Sequence, residues 1–243
     1  WARRRLGRQL AGRVVGITGS VGKTTTKDLA TATLRASYRT AAAERSFNND
    51  QGLPVTLLNA PDDVETIVLE MGMRGFGEIA RLCRVGRPTV GVVTAVGHAH
   101  TELVGGIEGV AVAKGELVEA LPRHGVAVLN GDDHRVRAMA GRTAAQVLTY
   151  GAAEDCDVRI DELVLDAHAR PRFTCRTPWG TVDVEVGLAG RHMASNAAAA
   201  LAVAGALGVP LDRAAAALHA TEVTGMRMEI VRTARGAMIV NRS

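Results

Sequence analysis

The chain has 243 residues, of which 47% are hydrophobic and 3% aromatic, and its formal net charge at pH 7 is +4. This hydrophobic content is ample for a buried core, which must consist of Ala, Val, Leu and Ile because aromatic residues are scarce. No apolar run is long enough to span a bilayer, so we expect no membrane insertion. The excess positive charge lies in five arginines near the start: Arg3, Arg4, Arg5, Arg8 and Arg13.

This arginine cluster has two interpretations. A basic run binds nucleic acid in some proteins, and in others it is a solvated helix or linker. No basic stripe with interleaved aromatic residues follows in the sequence. We therefore expect the second interpretation and no nucleic-acid partner.

The cysteines bear on the cellular compartment. Cys83, Cys156 and Cys175 show no metal-binding or redox spacing. A sparse and odd number of cysteines is typical of a protein that stays reduced. The sequence therefore predicts a cytoplasmic location.

Strand-like and helix-like segments alternate over residues 1–150. The helix after the polar loop 46–54 is expected to have an apolar face that includes Val55, Leu57 and Leu58. This alternation predicts an α/β fold with a mostly parallel sheet flanked by helices. Strands are predicted at 13–18, 38–43, 65–72, 89–95, 126–129 and 147–150, and helices at 1–12, 23–35, 75–83, 107–121 and after the loops 46–54 and 130–133.

The pattern changes after residue 157. Three extended segments separated by turns predict a small antiparallel β addition at about 157–187. Two helices at 190–207 and 211–219 follow, and then a hairpin formed by 228–231 and 238–240.

The sequence that follows the first strand is the most informative. An apolar run ends at Gly19, and Gly22, Lys23 and Thr24 stand directly before a helix. A strand, a tight turn and a helix N-terminus direct backbone N–H groups at one point, which suits a phosphate chain. Lys23 would reach the terminal phosphates, and the Thr24 hydroxyl would bind Mg²⁺.

This match to the glycine-rich phosphate loop is imperfect. The strict pattern GxxxxGK[ST] requires glycine at position 17, where the chain has Ile17, and the glycine stands at Gly19 instead. The alternative is a chance glycine turn before a helix. The order of strand, glycines, lysine and threonine favours a site for a nucleoside triphosphate.

Polar residues also follow two other predicted strands of the sheet. Glu70 ends a buried strand, where a carboxylate is costly without a cation or a donor, and Mg²⁺ is its natural partner beside a triphosphate. The alternative is a salt bridge to a neighbouring arginine. His98 and His100 follow the next strand, and at least one of them should face the same site, because ligands gather at the carboxyl ends of parallel strands.

Lys114 lies on the helix predicted at 107–121. The other face of this helix is predicted to be apolar. From periodicity alone, Lys114 is predicted to be a surface residue that pairs with Glu116 or Glu119.

Residues 18–27, TGSVGKTTTK, resemble the ATP loop of the Mur ligases, which form amide bonds in peptidoglycan synthesis at the expense of ATP. Further stretches resemble the MurF type, UDP-N-acetylmuramoyl-tripeptide–D-alanyl-D-alanine ligase, and the resemblance covers nearly the whole chain. The sequence departs from the family at Val21, where asparagine is frequent, and at Arg242, where an acidic residue is common. The stretches are 48–58, 69–79, 96–116, 190–196 and 225–229.

The resemblance implies the role of each site residue. Lys23 and the loop amides would hold the ATP phosphates, while Thr24 and Glu70 would bind one Mg²⁺ and His100 a second. Lys114 matches a lysine that Mur ligases carbamylate, and the carbamate would help to hold metal. Lys23, Lys114 and His100 are thus the implied catalytic residues. The ATP contacts would be Gly19, Ser20, Val21, Gly22, Lys23, Thr24, Thr25, Asn196 (at the adenine) and Arg227, and Asn48 and Asn49 would contact nucleotide or substrate.

The resemblance also implies a reaction in two steps. The carboxylate of UDP-MurNAc-tripeptide attacks the γ-phosphate of ATP, which gives an acyl phosphate and ADP. The amine of D-alanyl-D-alanine then displaces phosphate through a tetrahedral intermediate. ATP and Mg²⁺ are the expected cofactors, and the protein is expected to be a monomer.

The family resemblance implies further domains outside these residues. Residues 1–12 would be the lead-in from an N-terminal domain that grips the UDP-sugar, and 13–243 would be the central ATP-binding domain. A C-terminal domain would bring the amine substrate. We expect the chain alone to bind ATP weakly and to ligate nothing. The alternatives are another Mur-type ligase, of the folylpolyglutamate or cyanophycin type, and a non-catalytic nucleotide-binding module.

Overall fold

The computed structural model describes residues 13–43, 47–98, 101–221, 229–232 and 238–241. These residues form an α/β fold with one large sheet and helices on both of its faces. The strands are β1 (Val14–Thr18), β2 (Thr40–Ala42), β3 (Thr66–Glu70), β4 (Val90–Val93), β5 (Val126–Asn130), β6 (Gln146–Gly151), β7 (Val158–Leu165), β8 (Pro171–Thr177), β9 (Gly180–Glu185), β10 (Glu229–Arg232) and β11 (Met238–Asn241). The helices are α1 (Lys23–Arg35), α2 (Gly52–Asn59), α3 (Glu78–Gly86), α4 (Thr101–Val104), α5 (Ile107–Glu119), α6 (His134–Ala138), a 3₁₀ turn (Met139–Arg142), α7 (Met193–Ala206) and α8 (Leu211–His219).

The large sheet has nine strands in the order β2-β3-β1-β4-β5-β6-β7-β8-β9. Neighbouring strands from β2 to β7 are parallel, whereas β7, β8 and β9 pair in antiparallel fashion. The sequence prediction of a mostly parallel sheet with a small antiparallel addition is therefore confirmed. The predicted hairpin is present as the antiparallel pair of β10 and β11.

The two faces of the sheet carry separate apolar cores. Along β1, Val15 and Ile17 pack on the face covered by α1, α7 and α8, while Val14 packs on the face covered by α2, α3 and α5. This alternation follows from the two-residue period of a strand. Strands buried on both faces explain why the central segments of the sequence are continuous apolar runs.

Helix α2 differs from its sequence prediction. Leu57 is buried, but Val55 and Leu58 are 41% and 46% exposed. The buried positions of α2 include Leu53, Thr56 and Leu57. They follow the i, i+3, i+4 spacing of one helix face, and Val55 and Leu58 fall outside that face.

The described helices include none that is long and apolar enough to cross a membrane. The three cysteines are free and buried. Burial raises the pKa of the Cys83 and Cys175 thiols to about 12, so both stay protonated near neutral pH.

Candidate functional site

The carboxyl ends of β1, β3 and β4 lie side by side, because β1 stands between β3 and β4 and all three are parallel. The glycine loop of residues 19–22 follows β1, Glu70 ends β3, and a segment of residues 94–97 follows β4. Chain segments that are far apart in sequence therefore meet at one edge of the sheet. This edge is where ligands bind in open α/β sheets.

Both glycines of the loop are required by its geometry. Gly22 has a φ of 82° and directly precedes α1, in a left-handed conformation that favours glycine. A Cβ on Gly22 would lie 2.8 Å from Asn196 Oδ1. A Cβ on Gly19 would lie 1.8 Å from Thr94 Oγ1, so the loop backbone passes directly against Thr94.

The start of α1 is suited to an anion. Its N-cap residue, Gly22, offers no side chain to cap the helix, and its first turn contains no acidic residue. The positive end of the helix dipole is thus directed at the loop without a competing carboxylate from the helix itself. Lys23 Nζ donates to the Gly19 carbonyl at 2.9 Å, which holds the ammonium across the loop.

Ser20 is engaged by its protein neighbours. Its N–H donates to the Ala95 carbonyl at 2.8 Å. Its hydroxyl accepts from the Gly97 N–H at 2.8 Å and donates to the Gly97 carbonyl at 3.2 Å. The prediction that Ser20 contacts ATP stays a prediction, and such a contact would have to replace one of these hydrogen bonds.

Glu70 is 2% exposed and accepts two hydrogen bonds from neutral side chains. The Thr24 hydroxyl donates to Oε2 and the Asn48 amide to Oε1, each at 2.9 Å. No ion pair joins Glu70 to an arginine in the described residues, which argues against the alternative of a salt bridge. A buried carboxylate that forms no ion pair with a described arginine is a fitting ligand for a hard divalent cation.

The metal-binding capacity of the described residues is small. They contain no group of three or more His, Cys, Asp or Glu side chains that would hold a metal ion by itself. A cation at Glu70 would therefore share the Thr24 hydroxyl and take its other ligands from water or from a bound phosphate. His98 is exposed, and His100 lies outside the described residues.

Lys114 is buried, which overturns the prediction of a surface lysine. Its exposed fraction is 4%. Burial first and the Lys23 charge second lower its pKa to about 7. A buried amine with a pKa this low is a candidate functional group, because burial and a neighbouring cation both favour its neutral form.

The predicted partners of Lys114 bind other groups. Glu116 accepts from the N–H groups of Gly77 and Ala80 at 2.6 and 3.0 Å, and so caps the start of α3. Glu119 pairs with the arginine that ends the 3₁₀ turn, at 2.9 Å. Helix α5 thus directs Lys114 into the site while its glutamates hold neighbouring elements.

Lys23 and Lys114 line one cavity of about 460 Å³. Asn48 and Asn49 enter the same cavity from the loop before α2. With Gly19 and Ser20 of the glycine loop, the structure therefore brings together six of the predicted site residues. Cationic and amide side chains therefore face a single space next to the glycine loop. The complete lining is Gly19, Ser20, Lys23, Asn48, Asn49, Asp50, Gln51, Gly72, Met73, Arg74, Glu78, Leu82 and Lys114.

The other predicted contacts have different surroundings. Asn49 Oδ1 accepts from the N–H groups of Gln51 and Gly52, so its oxygen supports the start of α2. Asn196 is buried at the start of α7, where its Oδ1 accepts from the hydroxyl of Thr26 at 3.3 Å. Arg227 lies outside the described residues.

The residues that support the loop on the side of β4 and β5 were not predicted from the sequence. The Thr94 hydroxyl donates to the Val21 carbonyl at 2.6 Å, and Asn130 Nδ2 donates to the Thr94 carbonyl at 2.7 Å. Asp133 accepts from the Val96 N–H at 2.8 Å and also caps α6. These contacts join residues that are 36 to 73 positions apart, so no local pattern in the sequence marks them.

Comparison with known proteins gives this site a family context. Residues 17–204 match the family model of the Mur ligase middle domain. The UDP-N-acetylmuramoyl-tripeptide–D-alanyl-D-alanine ligase of Mycobacterium tuberculosis (strain H37Rv) is 40% identical over 229 residues, which are 94% of this chain and 45% of the relative. The chain spans about half the length of the curated relatives it matches.

Solved structures agree with the sequence comparison. MurF from Acinetobacter baumannii has a TM-score of 0.91 and 29% identity, over 98% of this chain and 52% of its own. The MurF ligase of Thermotoga maritima, solved in complex with ADP, has a TM-score of 0.85 and 30% identity, over 98% of this chain and 55% of its own. With its glycine loop, Glu70 and Lys114 at one edge of a parallel sheet, the chain belongs to the Mur ligase family and contains the family's middle domain.

Proposed function

We propose that this chain binds ATP with Mg²⁺ at the glycine loop and is the ATP-binding part of a ligase that joins D-alanyl-D-alanine to UDP-MurNAc-tripeptide. The observation that carries the proposal is the hydrogen bond from Thr24, in the first turn of α1, to the buried Glu70. This pair puts a hydroxyl and a carboxylate next to the loop that would hold the phosphates. The names of the relatives support the choice of substrates.

In this proposal the protein mainly positions groups and neutralises charge. Lys23 exchanges the Gly19 carbonyl for phosphate oxygens, and backbone amides at the start of α1 supply further donors. Thr24 and Glu70 would hold Mg²⁺, which fits their oxygen donors and the lack of an arginine partner for Glu70 in the described residues. When bound, Mg²⁺ offsets the negative charge of the phosphates.

The proposed role of Lys114 rests on its burial and its lowered pKa. A pKa of about 7 leaves a large neutral fraction at neutral pH, and the neutral amine is the form that reacts with carbon dioxide to give a carbamate. Carbamylation would convert a buried cation near Lys23 into an anion. That change would remove the repulsion between the two lysines and add oxygen ligands for metal.

The proposed reaction passes through an acyl phosphate, to which the amine adds with loss of phosphate. His100 is proposed as a ligand of a second Mg²⁺ and Arg227 as an ATP contact, on the family resemblance of their motifs alone. We place the reaction in the cytoplasm, where ATP is available, and three free cysteines are compatible with a reducing compartment. The monomeric state stays a prediction.

Calorimetric titration of the 243-residue chain with ADP, with and without MgCl₂, tests the nucleotide site. Lys23→Ala should abolish binding, whereas Arg172→Ala, which removes an exposed pair with Glu185, should leave it unchanged. Equal binding by wild type and Lys23→Ala would contradict the proposal.

The acceptor substrates need a separate experiment. ADP release is measured from the polypeptide that carries this chain, with a panel of UDP-sugar and amine substrates. Release that requires both UDP-MurNAc-tripeptide and D-alanyl-D-alanine supports the proposal. Turnover of folyl substrates would favour the folylpolyglutamate type instead, and turnover of none would favour a non-catalytic module.

A further inference from the structure

The segment of residues 94–97 supports the glycine loop from the side of β4. Two hydrogen bonds between the segment and the loop determine how individual loop peptides are oriented. The Ser20 N–H donates to the Ala95 carbonyl at 2.8 Å. The Thr94 hydroxyl lies 2.6 Å from the Val21 carbonyl and 3.3 Å from a second carbonyl, and its single proton belongs to the shorter contact.

The first bond fixes the peptide between Gly19 and Ser20. The described peptides are all trans, so the C=O and N–H of one peptide point in opposite directions. Because the Ser20 N–H points at the segment, the Gly19 carbonyl points away from it. Lys23 Nζ is found on that side, 2.9 Å from the Gly19 oxygen, which agrees with this geometry.

The second bond fixes the peptide between Val21 and Gly22. The Val21 carbonyl points at Thr94, so the Gly22 N–H points away from the segment, as the Gly19 carbonyl does. An N–H with this direction, next to the start of α1, is suited to donate to a phosphate oxygen. Removal of the hydroxyl at position 94 would leave the Val21 carbonyl without this bond and free the peptide to turn.

Thr94 is itself held firmly. It is 4% exposed, its N–H donates to the Thr18 carbonyl at 3.0 Å, and its carbonyl accepts from Asn130. Gly19 leaves the space that Thr94 occupies, since a Cβ there would lie 1.8 Å from the hydroxyl oxygen. Gly19 and Thr94 therefore pack directly against each other, and the side chain of Thr94 requires glycine at position 19.

We propose that Thr94 is a positioning residue of the nucleotide site, whose hydroxyl holds the Val21 carbonyl so that the Gly22 N–H faces the phosphates. This inference rests on the proposed nucleotide site and adds a residue that acts on the nucleotide through the loop. It also explains the displaced glycine of the loop, which makes room for a threonine after β4.

The test uses the 243-residue chain labelled with ¹⁵N-glycine and titrated with ADP in the presence of MgCl₂. Thr94→Val, which removes the hydroxyl and nearly keeps the shape, should weaken ADP binding about tenfold and reduce the shift of the Gly22 amide signal. Thr94→Ser should restore both to within about twofold, because it keeps the donor. Thr66→Val is the matched control: its buried hydroxyl, on β3, has no hydrogen-bond partner in the described residues, and ADP binding should not change.

Each outcome has a separate meaning. If wild type does not bind ADP, the proposed nucleotide site and the proposed role of Thr94 are both refuted. If wild type binds ADP and Thr94→Val binds it equally well, the nucleotide site stands and the role of Thr94 is refuted. If Thr94→Val does not fold, the wild-type titration decides, because a Gly22 amide that does not respond to bound ADP contradicts the proposal.

Discussion

The buried amine of Lys114 predicts a gain in stability when its charge is removed. Its pKa falls from 10.5 to about 7 in the folded chain, chiefly because burial disfavours the ammonium and secondly because Lys23 repels it. Below about pH 7, Lys114 is protonated in both the folded and the unfolded chain. The free energy of unfolding is then reduced by the full cost of burying the ammonium. Between about pH 7 and 10.5 the unfolded chain binds more protons, so this contribution makes stability rise with pH.

The shift sets the size of the effect. One pKa unit corresponds to about 1.4 kcal/mol, so the full cost is on the order of 4–5 kcal/mol. Relaxation of the folded chain reduces it, and we expect Lys114→Met to raise the free energy of unfolding by roughly 2–4 kcal/mol at about pH 6.5. The advantage should shrink by about 1.4 kcal/mol per pH unit between about pH 7.5 and 9.5.

Urea unfolding of wild type and Lys114→Met between about pH 6.5 and 9.5 measures the difference in their free energies of unfolding. The buffers contain EDTA and neither nucleotide nor bicarbonate. The raised pKa values of Cys83 and Cys175 lower stability at alkaline pH in both proteins, because the unfolded thiols ionise first. Their contribution cancels in the comparison. Lys27→Met is the control: Lys27 is also buried, but it donates to the Ala43 carbonyl at 2.6 Å and pairs with Asp28 at 3.1 Å.

The two lysines should therefore respond with opposite signs. Lys27→Met removes an ammonium that is bonded on two sides, so it should destabilise the chain. The reasoning would be refuted if Lys114→Met were no more stable than wild type, or if its advantage were the same at every pH. Either result would mean that the folded chain solvates the Lys114 ammonium.

Three other substitutions, the last with a matched control, test separate contacts at and around the site. Gly19→Ala should abolish ADP binding in calorimetric titration, because the new Cβ would lie 1.8 Å from Thr94 Oγ1, and unchanged binding would show that the loop adapts. Glu70→Gln should remove most of the gain in ADP affinity on adding MgCl₂, and a gain equal to that of wild type would exclude Glu70 as a metal ligand. Glu116→Ala should lower the free energy of unfolding by about 1–2 kcal/mol, since two N–H groups at the start of α3 lose their acceptor. Glu119→Ala removes a partly exposed pair and should cost less than about 1 kcal/mol in the same urea titration, so equal losses would contradict the capping role.

The fold was predictable because its central strands are buried on both faces. Apolar runs such as β1 and β3, each followed by a helix, leave a parallel sheet as the simplest arrangement. Helix α1 begins at Lys23 as predicted, since the left-handed glycine before it fixes the boundary. The prediction of the buried face of α2 was wrong, because a helix of eight residues that is apolar on several sides does not specify one buried face.

The candidate site was predictable where it depends on strand ends. Glu70 and the glycine loop meet because neighbouring parallel strands end at the same edge. Lys114 was wrongly predicted to be a surface residue, although its spacing in the sequence indicates that it is buried. It stands four residues after Val110 and four before Val118, both fully buried, and this spacing puts it in the apolar stripe of α5. A lysine in an apolar stripe is itself a signal of a functional position.

The strand order gives the two sides of the glycine loop different tasks. In the sheet β1 lies between β3 and β4. On the β3 side stands Glu70, a carboxylate that bonds Thr24, whereas on the β4 side stands Thr94, a neutral group that bonds the loop backbone. Because neighbouring strands are about 4.8 Å apart, both groups reach the same loop. With the proposed cation ligand on one side and a backbone support on the other, the side that Lys23 crosses would be left for the phosphates of the proposed nucleotide.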